Sequence, residues 1–160
     1  MLDTRAARLI AADLLSRRAW TRADLAARLR RRGAPPEIAS GVVDDLTSRG
    51  YLDDDAFARQ WVESRGGRGY GRARLRNELR TRGIPLAIIE RALATLSAEG
   101  DLDRARAAAR RRLPALLRAR RERAATRLRD YLMRRGFSTP VVARVVRDLT
   151  GADAPVESDE

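Results

Sequence analysis

The run Arg65-Gly-Gly-Arg-Gly-Tyr-Gly-Arg-Ala-Arg-Leu-Arg76 sets five guanidiniums, at Arg65, Arg68, Arg72, Arg74 and Arg76, around one aromatic, Tyr70. Guanidinium forks pair with phosphate or carboxylate oxygens and stack on flat rings. That chemistry suits a nucleic-acid backbone with its bases, and it suits an acidic protein groove equally well. A second concentration runs through Arg104, Arg106, Arg110, Arg111, Arg112, Arg118, Arg120, Arg121 and Arg123, with only Glu122 to offset it. A solvated helix face rarely carries so much charge of one sign. Arg110, Arg111, Arg112 and Arg118 are therefore candidate contacts to a polyanion or an acidic partner. Arg32, Arg82 and Arg135 each precede a glycine at a helix end, where a cation complements the helix dipole and needs no further role.

Other chemistries are poorly supplied. Asp44-Asp45 and Asp53-Asp54-Asp55 could hold a metal or act in acid–base catalysis on nucleic acid, but Asp53 or Asp54 also reads as a helix cap. The chain has no His and no Cys, which removes histidine general bases, the Ser-His-Asp triad, thiolate nucleophiles and the usual zinc ligands. Gly66, Gly67, Gly69 and Gly71 follow no strand and precede no Gly-Lys-Ser/Thr, so they are neither a P-loop nor a dinucleotide fingerprint. They read instead as a mobile connector. The expectation is a non-enzyme with no catalytic residues, no metal and no cofactor.

The 160 residues carry 34 basic and 22 acidic side chains, net +12, and every basic residue is Arg. The excess is uneven: residues 101–150 hold 15 Arg against 5 acids, and the last ten residues hold 4 acids and no Arg. A preference for Arg over Lys fits GC-rich coding; the net excess asks for a polyanionic or acidic partner. Hydrophobic residues at 44% support a core, and aromatics at 4% leave it to Leu, Ala, Val and Ile. No run approaches the ~20 apolar residues of a membrane span and no signal-peptide core opens the chain. A cytoplasmic protein is expected.

The elements that must position these arginines are repeated. Leu-x3-Leu-x3-Gly occurs as Leu25, Leu29, Gly33; as Leu75, Leu79, Gly83; and as Leu128, Leu132, Gly136. Agreement continues past each glycine: Ile38, Ile88 and Val141 five residues on, and Leu46, Leu96 and Leu149 thirteen on. Steps of three and four make one apolar helix stripe. Each glycine sits where a left-handed helix stop belongs, and Pro35-Pro36, Pro85 and Ser138-Thr139-Pro140 start the next helix. Those next helices are expected over about 37–48, 86–98 and 141–149, closed by Gly50, Gly100 and Gly151. First helices are expected over about 4–18, 54–64 and 103–121. Thr21 is an expected N-cap. Gly100-Asp101-Leu102-Asp103 matches Gly50-Tyr51-Leu52-Asp53 and so predicts an Asp-capped restart. Pro114 predicts a kink or break. No stretch alternates with period two, so no sheet is expected.

The fold class is thus all-α, three tandem three-helix repeats stacked into an elongated curved array. The repeats fall at 1–50, 51–100 and 101–151, with an acidic, frayed tail at 152–160. The paired helices around Gly33 would pass as a DNA-reading helix–turn–helix, but the pair recurs three times and its later helices are mostly apolar. Trp20, Phe57, Trp61, Tyr131 and Phe137 read as packing residues.

Gly50-Tyr51-Leu52-Asp53-Asp54, Phe57-Ala58, Gly69-Tyr70-Gly71 and Leu75-Arg76-x-Glu78-Leu79-x-x-x-Gly83-Ile84 together resemble the RecX regulatory proteins. The likeness is close over about 49–93 and looser in the flanking repeats. Where many members carry Lys before the glycine, this chain has Arg82, which keeps the charge; the Arg-rich helix containing Pro114 has no assigned counterpart. The resemblance implies a protein that binds the RecA recombinase, chiefly its filament on single-stranded DNA. Such proteins lodge in the filament groove and restrain ATP hydrolysis, strand exchange and coprotease activity, so modulating recombination, DNA repair and the SOS response. Arg65, Arg68, Tyr70, Arg72, Arg74 and Arg76 are the expected groove contacts. The alternative is a basic helical protein that binds nucleic acid directly and acts by competing for DNA. Sequence leaves open whether RecA is inhibited or activated.

Overall fold

The structure, a computed structural model, describes residues 1–152; the expected acidic tail lies outside these residues, apart from Ala152. The described residues form helices α1 (Thr4–Arg17), α2 (Arg22–Arg31), α3 (Pro36–Ser48), α4 (Asp54–Gly67), α5 (Arg72–Thr81), α6 (Leu86–Leu93), α7 (Ala98–Ala119), α8 (Ala124–Arg134) and α9 (Thr139–Thr150). A short 3-10 turn, Arg121–Arg123, joins α7 to α8. None of the described residues is in a strand.

The repeated glycine motif has one hydrogen-bond signature. At Gly33, Gly83 and Gly136 the glycine amide donates to the carbonyl three residues back (Arg30, Arg80, Met133; 2.9, 2.9 and 3.0 Å). The next amide reaches five back, Ala34 to Leu29, Ile84 to Leu79 and Phe137 to Leu132, at 3.0, 3.3 and 3.3 Å. This is the Schellman stop, which needs a left-handed residue at the glycine; φ is +102°, +76° and +89°. Its apolar clasp is present each time, since Ala34, Ile84 and Phe137 are buried with Leu29, Leu79 and Leu132. Starts are equally specific: Asp3, Thr21, Asp53 and Ser97 side chains accept from amides three residues on.

Two expectations are corrected. Gly100 does not close α6, which ends at Leu93, and Asp103 does not cap a new helix. Ser97 supplies the cap, accepting from the Gly100 amide at 2.9 Å, and Glu99 and Asp101 favour the first turn of α7 through its dipole. The Gly-x-Leu-Asp likeness at 100–103 therefore falls inside a helix. Nor does Pro114 break α7. It is exposed, it forfeits one backbone bond, and the packing of Leu113 and Leu116 on its flanks holds the helix.

The chain divides into two compact units, residues 1–60 with 78–92, and residues 61–77 with 93 onward. In the first, Leu25, Leu29, Val42, Val43 and Leu52 surround Ala7 and Ala11 of α1. In the second, α7 lays Ala105, Ala108 and Ala109 against Leu128, Leu132, Phe137, Val142 and Val145. Alanines in α7 let α8 and α9 approach closely. That fixes where the arginines alternating with those alanines emerge.

Candidate partner-binding surface

In the second unit the glycine-rich stretch is not a loose connector. Helix α4 continues through Gly67, and Gly66, Gly69 and Gly71 are buried. The Gly71 amide donates to the Arg135 carbonyl at 2.7 Å and the Ala73 amide to that of Gly136 at 3.2 Å. Two turns thus lie backbone to backbone. A methyl on Gly71 would overlap the Gly136 carbonyl, and one on Gly136 the Arg74 backbone. The glycines serve close approach, which sequence alone could not distinguish from flexibility.

That contact delivers Arg135 to Tyr70. The Arg135 Nε donates to the Gly69 carbonyl at 2.8 Å and its Nη2 to that of Arg68 at 2.7 Å. Its guanidinium lies 4.1 Å from the centre of the Tyr70 ring. Arg65 stands at 4.1 Å and Arg74 at 4.7 Å from the same ring. Arg135 also lies 5.2 Å from Tyr131, and Arg112 stands 5.5 Å from Tyr131. The result is an alternating ladder of cation and ring: Arg65 and Arg74, Tyr70, Arg135, Tyr131, Arg112. Each contact stabilises by about 0.5–1 kcal/mol at such partly exposed sites, which offsets part of the repulsion among gathered guanidiniums.

The expected site residues divide into two kinds. Arg65, Tyr70, Arg74 and Arg112 join the ladder, and Arg111 approaches it beside Gly69. Arg72 does not. Its Nε meets Asp101 Oδ2 at 2.6 Å, and its Nη1 and Nη2 donate to the Leu93 and Leu96 carbonyls at 2.9 and 2.6 Å. It is a staple holding α5 to the start of α7. Arg104 completes that staple, pairing with Asp101 and donating to the Tyr70 carbonyl at 3.2 Å. Arg68 is exposed and Arg76 half-buried. Arg110, Arg111, Arg112 and Arg118 are exposed on α7 and form no ion pair among the described residues. Arg104, Arg111 and Arg118 recur at seven-residue steps and share a face, from which Arg110 and Arg112 are each turned about 100°.

Sequence reading missed Arg135 and Tyr131, and it grouped Arg104 with the partner-facing arginines where it instead serves the staple. Arg135 had a sufficient explanation at its helix end, and its partners lie 66 and 67 residues away. The three arginines before the turn glycines are not equivalent. Arg82 pairs with Asp24 at 3.5 Å, Arg32 is exposed, and only Arg135 reaches a tyrosine.

The carboxylates have structural employment. Asp44 pairs with Arg22 at 2.6 Å, Asp45 with Arg49 at 3.2 Å and Asp55 with Arg91 at 2.8 Å. Asp53 caps α4. Asp54 is buried and accepts from the Arg22 amide at 3.0 Å. Burial, with Asp53 and Asp55 adding repulsion, pushes its carboxyl above the ordinary value against the opposing pull of Arg22. No three His, Cys, Asp or Glu among the described residues gather to hold a metal ion, and none of the described helices is long and apolar enough to cross a membrane.

Family models match three consecutive segments: the RecX first three-helix domain at residues 7–46, the second at 53–93 and the third at 99–146. The Regulatory protein RecX of Streptomyces coelicolor is 40% identical over 142 residues, covering 88% of this chain and 76% of that protein. That of Thermobifida fusca is 40% identical over 154 residues, covering 96% and 83%. Among solved structures, RecX from Lactobacillus salivarius aligns over 93% of this chain and 97% of its own, with a TM-score of 0.81 at 17% identity, a likeness of fold. With its three-helix repeats, and with relatives this similar along most of its length, the chain belongs to the RecX family of regulatory proteins.

Proposed function

We propose that this chain is a cytoplasmic, non-enzymatic regulator that binds the RecA recombinase and its filament on single-stranded DNA. It lodges in the filament groove and inhibits ATP hydrolysis, strand exchange and coprotease activity, and so modulates recombination, DNA repair and the SOS response. The observation that carries this reading is the arginine–tyrosine ladder, with α7 arginines beside it that no acid among the described residues neutralises. Such a surface suits a groove floored by nucleic acid and walled by acidic protein. Of three repeats, at 1–50, 51–100 and 101–151, the second and third carry its residues. Family membership supports the regulatory role.

The test is RecA's single-stranded-DNA-dependent ATP hydrolysis, with this protein added substoichiometrically to formed filaments, beside a titration of the same DNA without RecA. Inhibition while free DNA stays mostly unbound is the expected result. Inhibition only where the DNA itself is coated would favour the second reading, a basic nucleic-acid binder competing for DNA, for which the uncompensated α7 arginines also speak.

A further inference from the structure

The first unit holds a cleft of about 660 Å³, walled by α2, α3, the 50–55 entry into α4 and the 83–85 turn. Small and aliphatic residues such as Ala26, Val43 and Ile88 line it, together with four carboxylates, Asp44, Asp53, Asp54 and Asp55; Arg22 pairs with Asp44, Arg91 reaches Asp55 from outside the lining, and Arg30 is the other guanidinium in it. In a chain of net +12 this recess is locally the more acidic part of the surface, with Asp53 and Asp54 left without a guanidinium partner among the described residues. Its carboxylates suit a polyanion less well than the arginine ladder does.

Asp54, 7% exposed, spends one oxygen on the Arg22 amide, and no side-chain cation pairs with it among the described residues. A buried carboxylate with so little compensation gains from a cationic donor. Beside the recess stand Tyr51, in the 50–55 entry, and Leu86, the first residue of α6 after the 83–85 turn, 67% and 57% exposed. Large exposed apolar side chains beside a recess are the makings of a protein interface, in which a few anchors carry most of the affinity.

We propose that this cleft is the chain's protein-contacting surface, and that it receives from the RecA subunit an apolar side chain with a Lys or Arg beside it. The ladder then takes the polyanion and the cleft takes protein. This inference rests on the recombinase-regulator reading, and the experiment separates the two. Fluorescently labelled chain is titrated with RecA–single-stranded-DNA filaments and, separately, with naked single-stranded DNA. Wild type is compared with the double variant Tyr51→Ser/Leu86→Ser and with Ser40→Arg, which places a guanidinium among the cleft's own carboxylates. All three positions are exposed, so folding is preserved. The expected result is about a tenfold or greater loss of filament affinity, as for interface anchors, with affinity for naked DNA unchanged. Filament binding equal to wild type overturns the cleft assignment, as does an equal loss on both probes. Variants that turn a self-associated chain into a monomer in sedimentation velocity also overturn it, by making the cleft a contact between copies. Wild type that ignores filaments overturns the regulator reading itself, and this inference with it.

Discussion

Arg135 does three things with one guanidinium. It ties two carbonyls of the 68–69 turn, it stacks on Tyr70, and it faces Tyr131. Arg135→Ala therefore removes a positive charge and loosens the ring ladder together. We expect about a tenfold loss of affinity for single-stranded DNA or filament, and a log K against log salt slope shallower by about one. Arg135→Lys restores the slope but only part of the affinity, because an ammonium neither stacks nor forks. Arg32→Ala, the equivalent position in the first repeat, should change binding little. Anisotropy titrations at several salt concentrations distinguish these outcomes. Asp54 gives a residue-scale prediction of another kind. Its folded carboxyl holds a proton more readily than the unfolded one, so the ionised form is the disfavoured one in the fold. The penalty is fully present above the raised folded value and is relieved as pH falls toward the ordinary 3.8. Asp54→Asn, which still accepts from the Arg22 amide, should be no less stable than wild type at pH 7 and should lack that relief in acid. Asp54→Ala leaves the amide without its partner and costs about 0.5–2 kcal/mol. Denaturant titrations at pH 7 and pH 5 check both.

Among elements, the Schellman stops at Gly33, Gly83 and Gly136 are alike in hydrogen bonding and unlike in surroundings. A methyl at Gly33 meets nothing within 4 Å, at Gly83 it meets Ala23, and at Gly136 it meets the Arg74 backbone. Replacement by Ala at Gly33 pays only for the left-handed backbone, about 1–2 kcal/mol. Gly136→Ala adds overpacking of about 1–3 kcal/mol, so the order of loss should be Gly33, Gly83, Gly136 in thermal unfolding. The repeat was legible because this stop favours glycine and, at these three positions, a leucine four residues before it packs the clasp. The stop at Gly69 has the same two bonds without a leucine before it, and it escaped the repeat and read as part of a connector. The start of α7 was not legible. The residues at 100–103 imitate those at 50–53, and only the Ser97 side chain, three residues earlier, decides where the helix begins. Ser97→Ala should cost about 1 kcal/mol, read as a lowered unfolding midpoint.

For the whole molecule, charge and repeats pointed to a helical protein with a polyanionic or acidic partner before any contact was known. The arginines of 65–76 were legible as a group because they are contiguous. Their sorting was not, since Arg72 is committed to Asp101 and two carbonyls, whereas Arg65 and Arg74 flank Tyr70. Composition cannot say which guanidinium finds a carboxylate. Tyr131 was legible only as packing although Arg135 stands four residues on; what was hidden is that Arg135 also meets Tyr70, through a turn that brings two distant segments together. With a net charge of +12, the affinity for any polyanion should fall steeply with salt, and Asp101→Asn should weaken binding without removing any cation from the surface. A positional loss of that kind, with the salt slope preserved, would separate the staple from the ladder.

The backbone bonds from Gly71 and Ala73 to the carbonyls of Arg135 and Gly136 also make two amides into reporters. In hydrogen exchange these protons are released only when the turn after α8 lets go, so their protection should track that of α8 and not that of the neighbouring α4 stop. The ladder then melts as one cooperative piece with the C-terminal helices. A destabilising change anywhere in α8 or α9 would be felt as lost binding before the chain as a whole unfolds.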